Sequence, residues 1–394
     1  MINKISIIID LSDRNTFEFN KNFFSLISQR LGKIDLVDVS KILKLDKTFK
    51  IKNEKLIIKQ PNNYNELKEI FSDDKLILMY CINNQFKYFY INFLLARLKV
   101  KKFIVSDLGY NPEHFNYKDQ SIIQKIIFFF RQRFGYYIVR FLSLINILPR
   151  IDYFFESSSF VLNSINKSIS LRLKKKISFM DFSYYKNVIK INSRHYNLVD
   201  QPEINEDYIV FIDGMLFDHR DTIIRNGKSS SGTRKVYHDY IVDILSKLEA
   251  TYKKKIIVCL HPSNNLALIN NDYGKFKCVK YETDEFIKKA FIIVFHESSS
   301  ITQGIMLKKR IICLGGKILG PFINNRCNLY AKPLKLKKFD LENFHIENDK
   351  KLIEDLDNSI KNYDNYINQN IITKKSILGV DQILQFFKKE LPND

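Results

Sequence analysis

The chain has no tryptophan, no closely spaced cysteine pair and no long apolar run, and its acids fall short of its bases. Most of these deficits narrow the possibilities, although the missing tryptophan excludes nothing by itself. The five cysteines (Cys81, Cys259, Cys278, Cys313 and Cys327) are scattered and odd in number. Several lie in apolar runs such as 256–260, where a thiol behaves as a small hydrophobe. This argues against a disulfide framework and fits a reducing compartment. No stretch reaches the ~18 uninterrupted apolar residues that a spanning helix needs. The first apolar run meets Asp10 too early for a secretory signal and reads as a strand. The expected localisation is cytoplasmic.

With 43 acidic residues against 63 lysines and arginines, the formal charge is +20, which suits nucleic acid, an anionic membrane surface or phosphorylated substrates. A solvated lysine-rich surface without a partner accounts for it equally well. Zinc-finger spacing and RNA-binding aromatic motifs are both missing, so nucleic acid is not expected. His219, beside Asp218 and Asp221, has no partners at metal-ligand spacing, and no metal site is expected. The Gly227-Lys228-Ser229 triplet lacks the first glycine of a phosphate loop, Thr222 standing in its place. Residues 227–233 read instead as a flexible loop.

What is present has the rhythm of an α/β protein. At 394 residues, with 45% hydrophobic and 27% charged, the chain suits two globular domains. In the first half, β-rich runs at 5–9, 34–37, 56–59, 76–80, 103–106 and 153–156 alternate with helical patterns at 19–30, 64–71 and 88–98. In the second, strands at 208–212, 256–260, 278–281, 291–295 and 310–314 alternate with helices at 235–252, 284–290 and 301–307. Helical tails follow at 350–369 and 381–391. Such alternation predicts parallel sheets covered by helices on both faces, with right-handed crossovers. The polar, aperiodic stretch 193–207 reads as a linker. The expected divisions are 1–195, 196–340, and a helical 341–394 that packs back across the cleft between the domains. The segment 122–148 is apolar but interrupted by Lys125, Arg131, Arg133 and Arg140. It suits either an amphipathic helix on an anionic membrane surface or a buried helix whose arginines reach out to water.

Three polar groups stand at carboxyl ends of expected strands: Asp213-Gly214, His261-Pro262-Ser263 and His296-Glu297-Ser298-Ser299-Ser300. In a parallel sheet these ends share one edge, where ligands bind, so the three groups should converge. Ser298, Ser299 and Ser300 offer hydroxyls beside the free N–H groups of a helix start, a setting for phosphate or simply a helix cap. His261, held by Pro262, suits proton donation to a leaving phosphate, or is an ordinary loop histidine. Asp213 suits a general base with Gly214 allowing close approach, or a plain turn. Gly214, Pro262, Ser263, His296 and Gly315, the last following another strand, are expected nucleotide or cleft contacts.

The order acidic-Gly, His-Pro, Ser-Ser, together with Ile151–Phe155 and Ile191–Tyr196, resembles bacterial surface-polysaccharide proteins similar to the sialyltransferase-like glycosyltransferases of the GT-B fold. The resemblance covers roughly residues 151–325. It implies two Rossmann-like domains with parallel sheets facing a central cleft, the first holding acceptor and the second donor. It also implies an inverting transfer, without metal or cofactor, from a nucleotide sugar (often a CMP-linked acidic sugar such as a sialic acid) to a growing capsule, lipopolysaccharide or lipooligosaccharide. Asp213 would then be the base, His261 would assist departure of the nucleotide, and Ser298 and Ser299 would bind its phosphate. Partners would be the nucleotide sugar, a glycan or glycolipid acceptor and an anionic inner-membrane surface. Two positions depart from that pattern: Ile212 stands where a second acid is expected, and Glu297 precedes the serines. A nucleotide-sugar epimerase, a polyol-phosphate transferase and a non-catalytic assembly protein are the competing readings.

Overall fold

The computed structural model describes residues 4–12, 14–45, 51, 55–72, 76–82, 88–106, 141–142, 145, 147–148, 150–157, 185–198, 206–217, 234–264 and 272–390. The loop 227–233, the group Asp218, His219 and Asp221, and most of the basic segment 122–148 lie outside these residues. The chain forms two compact units. It passes from the first to the second between Arg194 and His195, and returns to the first between Ile372 and Thr373.

The first unit is a seven-stranded sheet built from β1 (Lys4–Ile9), β2 (Ile34–Asp38), β3 (Leu56–Lys59), β4 (Leu76–Tyr80), β5 (Lys101–Ser106), β6 (Ile151–Glu156) and β7 (Tyr185–Lys190). The order is β3-β2-β1-β4-β5-β6-β7, and every pairing is parallel. Alternation along β1 decides which face each residue serves. Ile5, Ile7 and Ile9 join one apolar cluster with the helix Arg14–Leu31, whereas Ile8 joins another with Leu67, Phe71, Ile91 and Leu95. The last helix of the chain, Gly379–Glu390, completes the first of these clusters. Its Phe387 ring lies 5.1 Å from that of Phe103 and 5.5 Å from that of Phe155. Each such buried ring contributes about 2–3 kcal/mol by leaving water.

Asn192, fully buried, ties that returning segment down. Its amide donates to the carbonyls of Lys374 and Ile377, and its Oδ1 accepts from the Thr373 and Lys374 N–H groups. Gly379 is required here because a Cβ would run into the Asn192 carbonyl.

Lysines on the edge strands pair with acids on the neighbouring strand: Lys59 with Asp35, Lys186 with Asp152 and Lys190 with Glu156. Charged edges of this kind discourage pairing with further chains. Glu156 is the costly member. Its side chain is 1% exposed, Oε1 meets no donor, and burial pushes its carboxyl up to about 7 despite Lys190. A carboxyl raised on folding stabilises the protein at low pH and costs stability as pH rises from about 4.5 through about 7. Glu156→Gln is therefore expected to raise the unfolding free energy from urea titration at pH 8 by about 1–3 kcal/mol, and to change it little at pH 4. Equal effects at both pH values would refute this origin.

The second unit repeats the plan with β8 (Tyr208–Ile212), β9 (Lys255–Leu260), β10 (Lys277–Lys280), β11 (Ala290–Phe295), β12 (Arg310–Gly315) and β13 (Lys337–Asp340), in the order β10-β9-β8-β11-β12-β13 and again all parallel. The helix Arg234–Tyr252 has no internal glycine or proline and buries Tyr237, Ile241, Ile244, Leu245 and Leu248, one stripe at helical spacing. Two edge strands, β7 and β13, and the helix Gly320–Leu334 were not expected from the sequence pattern. Both strands bear lysines, and β13 has only four residues. The helix is rich in asparagine and carries Pro333, which lowers its helical propensity. Among the described residues, no helix is long and apolar enough to cross a membrane.

Candidate functional site

In the second sheet the strand order reverses between β8 and β11, which lie side by side in parallel register. Connections from two such strands leave toward opposite faces, opening a crevice at their carboxyl ends. Asp213 follows β8, and His296 through Ser300 follow β11. The loops touch: a Cβ on Gly214 would stand 3.4 Å from the Glu297 carbonyl and 3.1 Å from Leu216. Glycine thus permits the close approach expected of it, although the partner is the neighbouring loop.

Asp213 is 4% exposed. Its N–H continues the ladder to the Cys259 carbonyl at 3.0 Å. Oδ1 accepts the Met215 N–H at 2.8 Å, and Oδ2 accepts the side-chain amide of Asn264. Met215 sits at φ 52, a conformation that costs a side-chain-bearing residue roughly 1 kcal/mol or more; capture of its N–H by Asp213 holds it there. The phenols of Tyr237 and Tyr273 are raised well above their ordinary value, first by burial and then by the Asp213 charge. Asp213 joins the loops after β8 and β9, each of its oxygens accepting from a protein donor.

His261 follows β9 and is half-buried, while Pro262 and Ser263 are exposed. The Ser263 N–H donates to His261 Nδ1 at 3.1 Å, which puts the proton of the neutral ring on Nε2. The Asn264 N–H closes the turn on the His261 carbonyl at 2.9 Å, and Lys280 Nζ holds the Asn264 carbonyl at 2.7 Å. The loop is thereby pinned to β10.

His296 has a different place from the ligand contact expected of it. It is fully buried, with Nδ1 donating to the Leu314 carbonyl at 2.8 Å and Nε2 accepting from the Tyr237 hydroxyl at 3.0 Å. Burial pushes its pKa down to about 4, so the ring is neutral and bridges β11, β12 and the helix Arg234–Tyr252. Gly315 is likewise closed off: Lys338 and Asn324 occupy the space beside its α-carbon. Asn324 also accepts the Gly316 N–H at 3.1 Å. Gly316, at φ 137, packs on Glu342, which takes the Ile318 N–H at 2.7 Å.

Ser298, Ser299 and Ser300 are half-buried beside the short helix Ile301–Met306. Ser298 Oγ accepts the Ser300 N–H at 3.2 Å, and the N–H groups of Ile301, Thr302 and Gln303 bond to the carbonyls of Ser298, Ser299 and Ser300. The helix start is therefore tightened by one turn, and the amides expected to be free are consumed. The Ser299 and Ser300 hydroxyls make no hydrogen bond among the described residues. The neighbouring Glu297 carboxylate is taken by Arg326 from the helix Gly320–Leu334, which neutralises the charge that would oppose an anion at the serines. Asn264, Tyr237 and Arg326 were not singled out in the sequence, because each acts through a contact made only when distant segments meet. No group of three or more histidines, cysteines or acids able to hold a metal occurs among the described residues.

No family model matches the sequence, and no curated protein matches it. Among solved structures, the chain is similar to a UDP-GlcNAc 2-epimerase from Methanocaldococcus jannaschii, at 13% identity over 98% of this chain and 99% of that one, with a TM-score of 0.47. It is also similar to the wall teichoic acid polymerase TagF, at 10% identity over 100% and 91%, TM-score 0.49. A glycosyltransferase from Rickettsia africae aligns at 14% identity over the full length of both chains, TM-score 0.44. The fold stands on strand order and register rather than on these likenesses.

Proposed function

We propose that the protein is a glycosyltransferase of GT-B type whose second unit binds a nucleotide-activated sugar at the carboxyl edge of β8, β9 and β11. The observation that carries this reading is the reversal of strand order between β8 and β11, with the Asp213–Gly214 and His296–Ser300 loops in contact there. In this reading the Ser299 and Ser300 hydroxyls receive the donor phosphate, and Asp213, which also holds the Asn264 side chain, takes the proton of the attacking acceptor hydroxyl as general base. When the bond from the sugar to the phosphate oxygen breaks, the Nε2–H of the neutral His261 ring donates a hydrogen bond to that oxygen as charge develops on it. The order of the motifs supports a CMP-linked acidic sugar as donor and a growing surface glycan as acceptor, with inversion and without metal.

Melting the protein with CMP, CDP, UDP and GDP tests the reading. A ligand at a hundredfold its dissociation constant adds about 2.7 kcal/mol. For a unit of this size that corresponds to a rise of roughly 5–10 °C. A cytidine nucleotide is expected to produce it; no shift with any nucleotide would remove the donor site. Incubation with the donor, with and without acceptor glycan, separates transfer from its rivals, since donor turnover that yields no acceptor product would point to an epimerase.

A further inference from the structure

The candidate site uses the carboxyl edge of the second sheet, but a separate group of basic residues lies at the other edge. The three strands β9, β10 and β12 open on Lys255, Lys277 and Arg310, with Lys289 just before β11. Because all pairings are parallel, these starts share one edge, a strand length from His261, or roughly 20 Å for the six residues of β9. Arg310 is neutralised by Asp357 and Glu206. The lysines near β8, β9 and β10 are arranged otherwise.

A cavity of about 420 Å³ opens there, within the range of small-molecule sites. Lys255, Lys275, Lys277 and Lys289 border it, while the apolar part of its lining includes Ile256, Phe276 and Phe286. Glu249, the single acid of the lining, is consumed by Lys275. Lys255, Lys277 and Lys289 are exposed and have no acidic partner among the described residues. Lys275 and Lys277 lie over the rings of Phe276 and Phe286, with Nζ at 5.5 and 5.8 Å from the centroids. The lining thus carries four lysines against one glutamate, on a partly apolar floor.

We infer that this cavity is a binding site for a phosphate-bearing ligand, distinct from the donor site. Ammonium groups on long stems act as adaptable point charges toward phosphate, and a multiply charged anion relieves the mutual repulsion of the three uncompensated lysines. The apolar floor fits a phosphate attached to a larger body, either the headgroup of an anionic lipid or a free phosphorylated molecule.

The test uses the full chain and two charge-matched variants of exposed lysines in the same unit, Lys277→Ala with Lys289→Ala, and Lys350→Ala with Lys351→Ala as control. Binding of inorganic phosphate is measured by titration calorimetry. Binding to phosphatidylglycerol and phosphatidylcholine vesicles is measured by sedimentation, and circular dichroism confirms that each variant folds. Each lysine near an anionic surface contributes about fivefold in affinity, so the cavity pair should weaken phosphatidylglycerol binding by about 25-fold and the control by far less. Phosphate binding should be lost in the cavity pair alone. Phosphate binding through the cavity without vesicle binding supports a free phosphorylated ligand. Equal loss in both variants, or no binding of phosphate and vesicles by the parent, overturns the site.

Discussion

His261→Ala is expected to lower the turnover of a nucleotide-sugar donor by about 10²–10³-fold, the range lost with one donor to a developing oxyanion. Alanine can donate no hydrogen bond to the leaving oxygen. The loss should therefore appear in kcat, with KM changing only a few-fold. The structure also predicts little damage to folding. The histidine is half-buried, and the Ser263 N–H that it accepts is exposed and can turn to water. The melting midpoint should accordingly stay within about 2 °C of the parent, as for substitutions away from buried networks. Single-turnover kinetics with matched melting curves decide the matter. A fall below about threefold would remove His261 from stabilisation of the leaving oxygen, and a collapse in midpoint would make it structural.

The opposite behaviour is expected at His296, in the same sheet. His296→Leu leaves the buried Tyr237 hydroxyl without its acceptor and removes one of the donors to the Leu314 carbonyl, which keeps the Cys327 thiol at 3.3 Å. The unsatisfied hydroxyl costs about 1–3 kcal/mol and the lost bond to the carbonyl about 0.5–1.5 kcal/mol, so the variant should lose about 2–4 kcal/mol at pH 7.5. The loss should depend on pH in a defined direction. The folded-state pKa of about 4 lies below the ordinary 6.5. Between these values the unfolded chain binds a proton that the folded one refuses. The stabilisation is thus fully present above about 6.5 and fades as pH falls toward about 4, by about 3 kcal/mol. Glu156 titrates in the opposite sense over much of the same window, which would mask the effect in the parent alone. It contributes equally to parent and variant, so the difference between their urea midpoints isolates His296. That difference should be largest at pH 7.5 and smallest near pH 4; curves that fall in parallel would show that the ring is not held neutral.

These two histidines also show how much of the site could be read from residues alone. Both follow an apolar run, and both were expected at a ligand. The pattern correctly put them at strand ends, since a run such as Ile256–Leu260 or Phe291–Phe295 predicts a buried strand and the first polar residue marks its end. It could not separate an imidazole that points out from one that points in. That choice depends on Tyr237 and the Leu314 carbonyl, which come from a helix and a strand distant in sequence. The serines show the same limit. Their place beside a helix was legible, but the tightening that uses the amides of Ile301, Thr302 and Gln303 is a matter of backbone geometry. Glu297 looked unfavourable beside a phosphate until Arg326 was seen to take its charge.

By itself, the sequence determined the α/β class, eleven of the thirteen strands and the group of polar strand ends, because apolar periodicity and length are local signals of burial. It left out β7 and β13, whose lysines and short apolar content reflect an edge position that exists only once a sheet has formed. Tertiary structure alone decided the strand order, and with it the reversal between β8 and β11 that sets Gly214 against the Glu297 carbonyl. It also decided that the last helix returns to the first unit, where Asn192 fastens it and Phe387 completes the core. Long-range pairing depends on complementary shape and on hydrogen bonds between segments far apart in the chain, and no local pattern of residues records which partner each segment will meet.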